Sequence, residues 1–156
     1  MILAVMLMAV TAVAQNKRSI ASVSGDPDSY ELFSYDEDGS RGYYLMMENP
    51  GFEASLFVFL GSNVNEAAET LKGIVALYDA PVGDTKKYHG RLGTTLPLGK
   101  TCEVKAMVQK KPTTKKIQLS FTLQGEKADM VSWMKKSDAK MLLKFLGSYQ
   151  KRHPDR

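Results

Sequence analysis

The sequence predicts an α+β domain: an antiparallel sheet of about six to seven strands with two helices packed on one face. Three observations carry this. Residues 102–109, with Met107 excepted, and 117–123 alternate apolar and polar side chains, the mark of strands with one buried and one wet face. Residues 64–78 and 137–152 instead repeat apolar side chains at three- and four-residue spacing, as amphipathic helices do. The elements follow the order βββα, loop, βββα, and runs of strands each closed by a helix favour helices gathered on one side of an antiparallel sheet. The two halves share no sequence similarity, so any repeat is one of architecture.

Residues 1–14 stand apart from this domain. Ile2 to Val13 is apolar except for Thr11, Ala12-Val13-Ala14 is a small-x-small pattern, and Asn16-Lys17-Arg18 turns polar. This reads as a signal peptide cleaved after Ala14, although no Lys or Arg precedes the apolar run. The run falls short of the roughly 20 residues of a membrane span, so no transmembrane anchor is expected. The protein is therefore expected to be exported, to a bacterial periplasm or to the medium. A single cysteine and the lack of an Asn-x-Ser/Thr acceptor fit a bacterial protein better than a eukaryotic secreted one. With the leader set aside, the hydrophobic fraction falls from 44% to about 39%, ordinary for a soluble domain.

The elements then follow in order. Residues 15–29 are rich in Ser, Gly and Asp and read as a flexible lead-in, with a single domain over 30–152 and a tail at 153–156. Tyr30–Tyr35 and Tyr43–Met47 flank Asp36-Glu37-Asp38-Gly39-Ser40, a strand, an Asp-Gly turn and a strand. Asn49-Pro50-Gly51 is a second turn. Phe52–Leu60 is apolar on both parities, as in a strand buried on both faces at the centre of a sheet. Asn63 is placed to cap the first helix, and Glu66 to complete a capping box. Asp79-Ala80-Pro81 ends that helix.

Residues 80–100 contain Pro81, Gly83, Gly90, Gly93, Pro97 and Gly99, and read as a long irregular loop with a short strand near 91–96. The two alternating strands follow, with Lys105, Gln109, Lys116, Gln118 and Thr122 expected on the wet face. Residues 124–127 turn, and 128–134 is a strand carrying Trp133. Ser137 is expected to cap the last helix, whose apolar stripe is Met141, Leu142, Phe145, Leu146 and Tyr149.

Few chemistries survive this inventory. Two histidines and one cysteine cannot build an all-Cys/His zinc site, which needs four ligands, and no cofactor or metal is expected. Asp36, Glu37 and Asp38 lack the spacing of a calcium loop, and Met47 stands where its closing Glu should be. Neither a Gly-x-Ser-x-Gly nor a phosphate-loop pattern occurs. Cys102 reads as a core thiol. It could meet His89 only if a strand near Arg91 pairs with the Cys102 strand, and no third group is evident. Glu31, Glu48 and Glu53 read as surface charges. The sequence leans away from an enzyme and toward an exported, non-enzymatic binding or assembly module. Its partner would be another exported protein or an anionic ligand, and no motif points to nucleic acid.

Two candidate sites remain. Lys86, Lys87, Tyr88, His89 and Arg91 concentrate hydrogen-bond donors in the 80–100 loop, suited to a small anion or, in the alternative, to a small hydrolase. Lys110, Lys111, Lys115 and Lys116 form a basic cluster suited to weak docking on a polyanion. The net charge of +4 hides a division. Asp26 to Glu53 holds eight acids against Arg41, a net −7; Lys17 and Arg18 add +2; the remainder carries +9. The plainest reading of that division is a bipolar surface with internal charge pairing.

Overall fold

A computed structural model of the chain describes residues 16–25, 27–93, 99–124 and 130–154. The expected leader, 1–14, and the turn centred on Gly125-Glu126 lie outside the described residues. Eight strands form one sheet in sequence order, each antiparallel to its neighbours. They are β1 (Lys17–Ser24), β2 (Ser29–Glu37), β3 (Ser40–Glu48), β4 (Ser55–Gly61), β5 (Thr85–Gly93), β6 (Lys100–Lys110), β7 (Ile117–Gln124) and β8 (Val131–Lys135). Helix α1 (Val64–Leu77) follows β4, and α2 (Lys136–Arg152) follows β8. The order is therefore ββββα twice, where the sequence suggested βββα twice with a loop between.

Both additional strands come from segments with weak apolar patterns. β1 replaces the expected flexible lead-in. It is an edge strand whose one buried side chain is Val23, so it needed little hydrophobic signal. β5 replaces most of the expected loop. Only Tyr88 and Gly90 of its nine residues are buried, and Gly90 had looked like loop punctuation. Its glycine has another cause. A Cβ there would lie 2.4 Å from the Phe57 carbonyl oxygen and 2.6 Å from Val104 Cγ2, so β4 and β6 leave no room for a side chain.

The core lies on one face of the sheet. Leu32, Leu45, Val58, Val104, Ala106, Leu119 and Phe121 pack there against Ala67, Leu71 and Ile74 of α1 and Leu142 and Leu146 of α2. A smaller cluster of Phe33, Tyr35 and Phe57 sits on the other face, with Tyr44 and Met46 against it. Phe33 stacks on Tyr44 at 5.7 Å and meets Phe57 edge-on at 5.9 Å. β4 thus supplies both cores, as its apolar residues on both parities predicted. Gln118, expected on a wet face, is instead buried, while Lys105, Gln109 and Thr122 are half-buried.

Asn63 caps α1: its Oδ1 accepts from the Glu66 N–H at 2.9 Å. The Glu66 carboxylate reaches back one residue further than a capping box places it, to the Ser62 N–H at 2.8 Å. Asn63→Ala should cost about 1 kcal/mol, read as a lower denaturant midpoint with an unchanged slope. An unchanged midpoint would show that the cap is idle. The expected Ser137 cap is not formed. β8 runs directly into α2, Lys135 is the N-cap residue, and its side chain makes no capping bond. The buried face of α2 is Ala139, Leu142, Leu146 and Tyr149, whereas Met141 and Phe145 remain 45% and 40% exposed.

The sheet curls until the free edge of β8 meets the start of β2. Side chains, not a ladder, satisfy that edge. The Trp133 N–H donates to Asp28 at 2.5 Å, and the Tyr30 hydroxyl donates to the Trp133 carbonyl. The Asn49 amide donates to the Val131 carbonyl at 3.1 Å. Where β8 passes into α2, the Tyr78 hydroxyl donates to the Met134 carbonyl at 2.7 Å. Three acids of the first half are held in ion pairs. Lys17 pairs with Glu31, Arg41 with Asp36 at 2.7 Å, and Arg91 with Glu37 at 2.5 Å.

Candidate functional site

The most distinctive local feature is a split in the middle of the sheet. β4 and β5 pair over four positions, from Ser55 opposite Gly93 to Val58 opposite Gly90. Beyond that point β4 stays with β3, and β5 stays with β6. α1 begins just after Gly61 and fills part of the gap. A Cβ on Gly61 would lie 2.5 Å from Glu66 Cβ, so glycine lets the first helical turn lie against the strand. The Thr70 hydroxyl donates to the Leu60 carbonyl at 2.7 Å and so satisfies the edge of β4.

What remains is an open cleft of about 640 Å³. Phe59, Leu60 and Gly61 of β4 line it, with Asn65, Glu66, Glu69 and Thr70 of α1 and Lys86 to His89 of β5. Its charges are unequally committed. Glu66 accepts from the Ser62 N–H, Glu69 pairs with Lys72 at 3.0 Å, and Lys87 pairs with Glu103 at 3.5 Å. The Lys86 ammonium lies 5.6 Å from the centroid of the Tyr88 ring, a cation–π placement, and has no carboxylate partner among the described residues. Tyr88 is buried, and its hydroxyl has no hydrogen-bond partner among the described residues. Burial pushes that hydroxyl up to about 12, so at neutral pH it is a proton donor without an acceptor.

Four of the five residues proposed from the sequence, Lys86, Lys87, Tyr88 and His89, therefore line one cleft. They do so from a strand, not a loop, and alternate about it. Lys86 and Tyr88 belong to the helix-side parity, while Lys87, His89 and Arg91 belong to the other. Arg91 is not part of the cleft. It reaches across two intervening strands to Glu37, a span that the twist of the sheet allows. The Cys102–His89 dyad fails on the same parity. Cys102 is opposite Gly90 and packs against the main core, while exposed His89 is opposite Glu103 on the other face.

Lys110, Lys111, Lys115 and Lys116 are brought together at the tip of the β6–β7 hairpin. The Lys115 N–H donates to the Lys111 carbonyl at 2.7 Å, with Lys115 at φ 58°, and the Lys111 N–H donates to the Lys116 carbonyl at 3.0 Å. Lys111 is half-buried and the other three are exposed.

Sequence reasoning missed the α1 wall of the cleft, because Asn65, Glu66, Glu69 and Thr70 carry only a capping signal. It also missed two carboxylates near the β8 seam, Asp28 buried and Asp138 half-buried. Asp28 Oδ1 and Asp138 Oδ2 have no partner among the described residues. Burial raises both carboxyls above the ordinary value, against the opposing pull of the Trp133 N–H and Lys111 on Asp28, and of Lys135 on Asp138. Among the described residues, no group of three or more His, Cys, Asp or Glu side chains could hold a metal ion, and no helix is long and apolar enough to cross a membrane. No family model, curated protein or solved structure matches this chain.

Proposed function

We propose that this chain is an exported, non-enzymatic binding module whose α1–β5 cleft holds a small organic anion with an apolar or aromatic body. The observation that carries the reading is the Lys86 ammonium without a carboxylate partner, poised over the ring of Tyr88 in an open cleft. The cleft volume falls in the range of about 300–1,000 Å³ typical of ligand sites. Phe59 offers apolar surface and Lys86 offers charge. A phosphate or carboxylate on a ring or short chain matches that combination. The hydrolase alternative calls for His89 with a carboxylate in hydrogen-bond reach, and exposed His89 makes no such pair among the described residues.

Phenyl phosphate is a suitable probe. Added to isotope-labelled protein, it should shift amide resonances within residues 59–70 and 86–89 and leave the rest in place. Shifts that are absent, or confined to another region, would overturn the proposal. Tyr88→Phe separates stability from binding. Removing a buried hydroxyl that lacks a partner should stabilise the fold by about 1 kcal/mol. The same change should leave phenyl phosphate bound, since the ring that Lys86 faces is kept. A destabilised Tyr88→Phe protein would mean that the hydroxyl is already satisfied.

A further inference from the structure

We propose that the outward half of α2, together with the adjoining β6–β7 hairpin tip, docks on an anionic lipid surface. This surface is independent of the cleft. Ala139, Leu142, Leu146 and Tyr149 turn one side of α2 into the core. The other side presents Lys140, Lys144, Lys151 and Arg152, all exposed. The only acid in the helix is Asp138, which is half-buried and lies one turn before Met141. Met141 and Phe145 sit one turn apart beside these lysines and are 45% and 40% exposed. Neither is needed to complete the core, so the helix carries an apolar pair within a basic face.

The hairpin tip adjoins the start of α2. Lys110 is opposite Ile117, Gln118 is opposite Lys135, and α2 begins at the next residue. This register puts Lys110, Lys111, Lys115 and Lys116 at the end of the sheet where α2 starts. Exposed Glu48 and Glu53 lie in the β3–β4 connection, at the opposite end, while exposed Asp38 and Asp84 lie at the hairpin's own end, Asp84 accepting from the Val108 N–H at 2.9 Å.

The occupant follows from what the surface offers. A glycan or nucleic acid supplies negative charge but gives Met141 and Phe145 nothing apolar to enter. An anionic bilayer supplies both, with phosphates for the lysines and acyl chains for the two side chains, as at amphipathic interfacial helices. Each Lys or Arg close to such a surface contributes about 1 kcal/mol, or about 5-fold in binding.

The test is co-sedimentation with vesicles. The full chain and residues 15–156 are compared, so that any binding by the apolar leader is separated. Vesicles of phosphatidylcholine are set against vesicles of phosphatidylcholine and phosphatidylglycerol in equal parts. Residues 15–156 should bind the mixed vesicles at least about 10-fold more tightly. Lys140→Glu with Lys144→Glu should remove at least about 25-fold, at an unchanged thermal midpoint. Phe145→Trp should add a fluorescence component that moves to the blue on the mixed vesicles, measured as the difference from the wild type with its single Trp133. Equal binding to both vesicles, binding by the full chain only, or a Phe145→Trp component that stays put would overturn the proposal. So would heparin binding without vesicle binding, which would mark a polyanion site.

Discussion

Gly90→Ala is expected to lower the stability of the domain by about 3 kcal/mol, at the upper end of ordinary overpacking. The added methyl would meet the Phe57 carbonyl oxygen at 2.4 Å and Val104 Cγ2 at 2.6 Å. Neither neighbour can retreat easily. Phe57 is held in the β4–β5 ladder, which has only four pairs, and Val104 is fully buried in the main core. Moving either strand would widen the split in which the cleft lies, so the variant should also lose phenyl phosphate. Gly147→Ala is the matching control. A Cβ at this helical glycine meets nothing within 4 Å. The same chemical change should there stabilise by about 0.5–1 kcal/mol. Denaturant midpoints measure both, and equal shifts of the same sign would show that the close approach at Gly90 is not real.

Asp28→Ala is expected to cost about 2 kcal/mol, because it strands the Trp133 N–H at the curled edge of the sheet. Asp28→Asn should cost little or nothing at neutral pH. It keeps an oxygen to accept that N–H and removes a buried charge. The sign of the pH dependence follows from the same burial. The carboxyls of Asp28 and Asp138 are raised above 3.8 in the folded state, chiefly by desolvation. The folded protein therefore holds more protons than the unfolded chain in the window just above 3.8, and stability from these groups rises as pH falls through it. Asp79 runs the opposite way. Its hydrogen bond to Lys136 lowers its pKa, so its contribution is lost only as pH falls below 3.8. The two windows do not overlap. Thermal midpoints of the wild type should exceed those of an Asp28→Asn, Asp138→Asn double variant in their upward shift as pH falls from neutral to just above 3.8. Identical shifts in the two proteins would contradict the assignment.

Much of the architecture was legible because its signals are local. The Asp38-Gly39 turn, the Asn63 cap, the alternation around Val104 and Leu119, and the two-sided β4 all report interactions with near neighbours or one nearby layer. β1 and β5 were illegible for want of such a signal. Each pairs with the strand next to it in the chain, but they bury few side chains of their own and so carry little apolar signal. Gly90 shows the difficulty clearly. Between Pro81 and Gly99 it looks like punctuation in a loop, yet it is required by the approach of Phe57, more than thirty residues away. The stripe on α2 was drawn too wide because periodicity does not tell which edge of an apolar arc meets the core, and so Met141 and Phe145 were assigned inward.

The candidate site was legible as a set of residue types, not as a shape. Lys86, Lys87, Tyr88 and His89 were singled out as donors in one segment, and they do line one cleft. Arg91 was grouped with them because sequence proximity cannot reveal a partner such as Glu37 on a strand three places away in the sheet. The facing wall on α1 was invisible, since the split between β4 and β5 exists only in the folded sheet.

The central claim, a cleft that takes an organic anion through Lys86, is tested most directly by calorimetric titration of phenyl phosphate. The wild type, Lys86→Glu and Lys116→Glu would be compared at one ionic strength. Both variants make the same change in net charge, but only Lys86 lines the cleft. The account predicts saturable binding at one site, lost in Lys86→Glu and kept in Lys116→Glu. No binding by the wild type, or equal losses in the two variants, would contradict it.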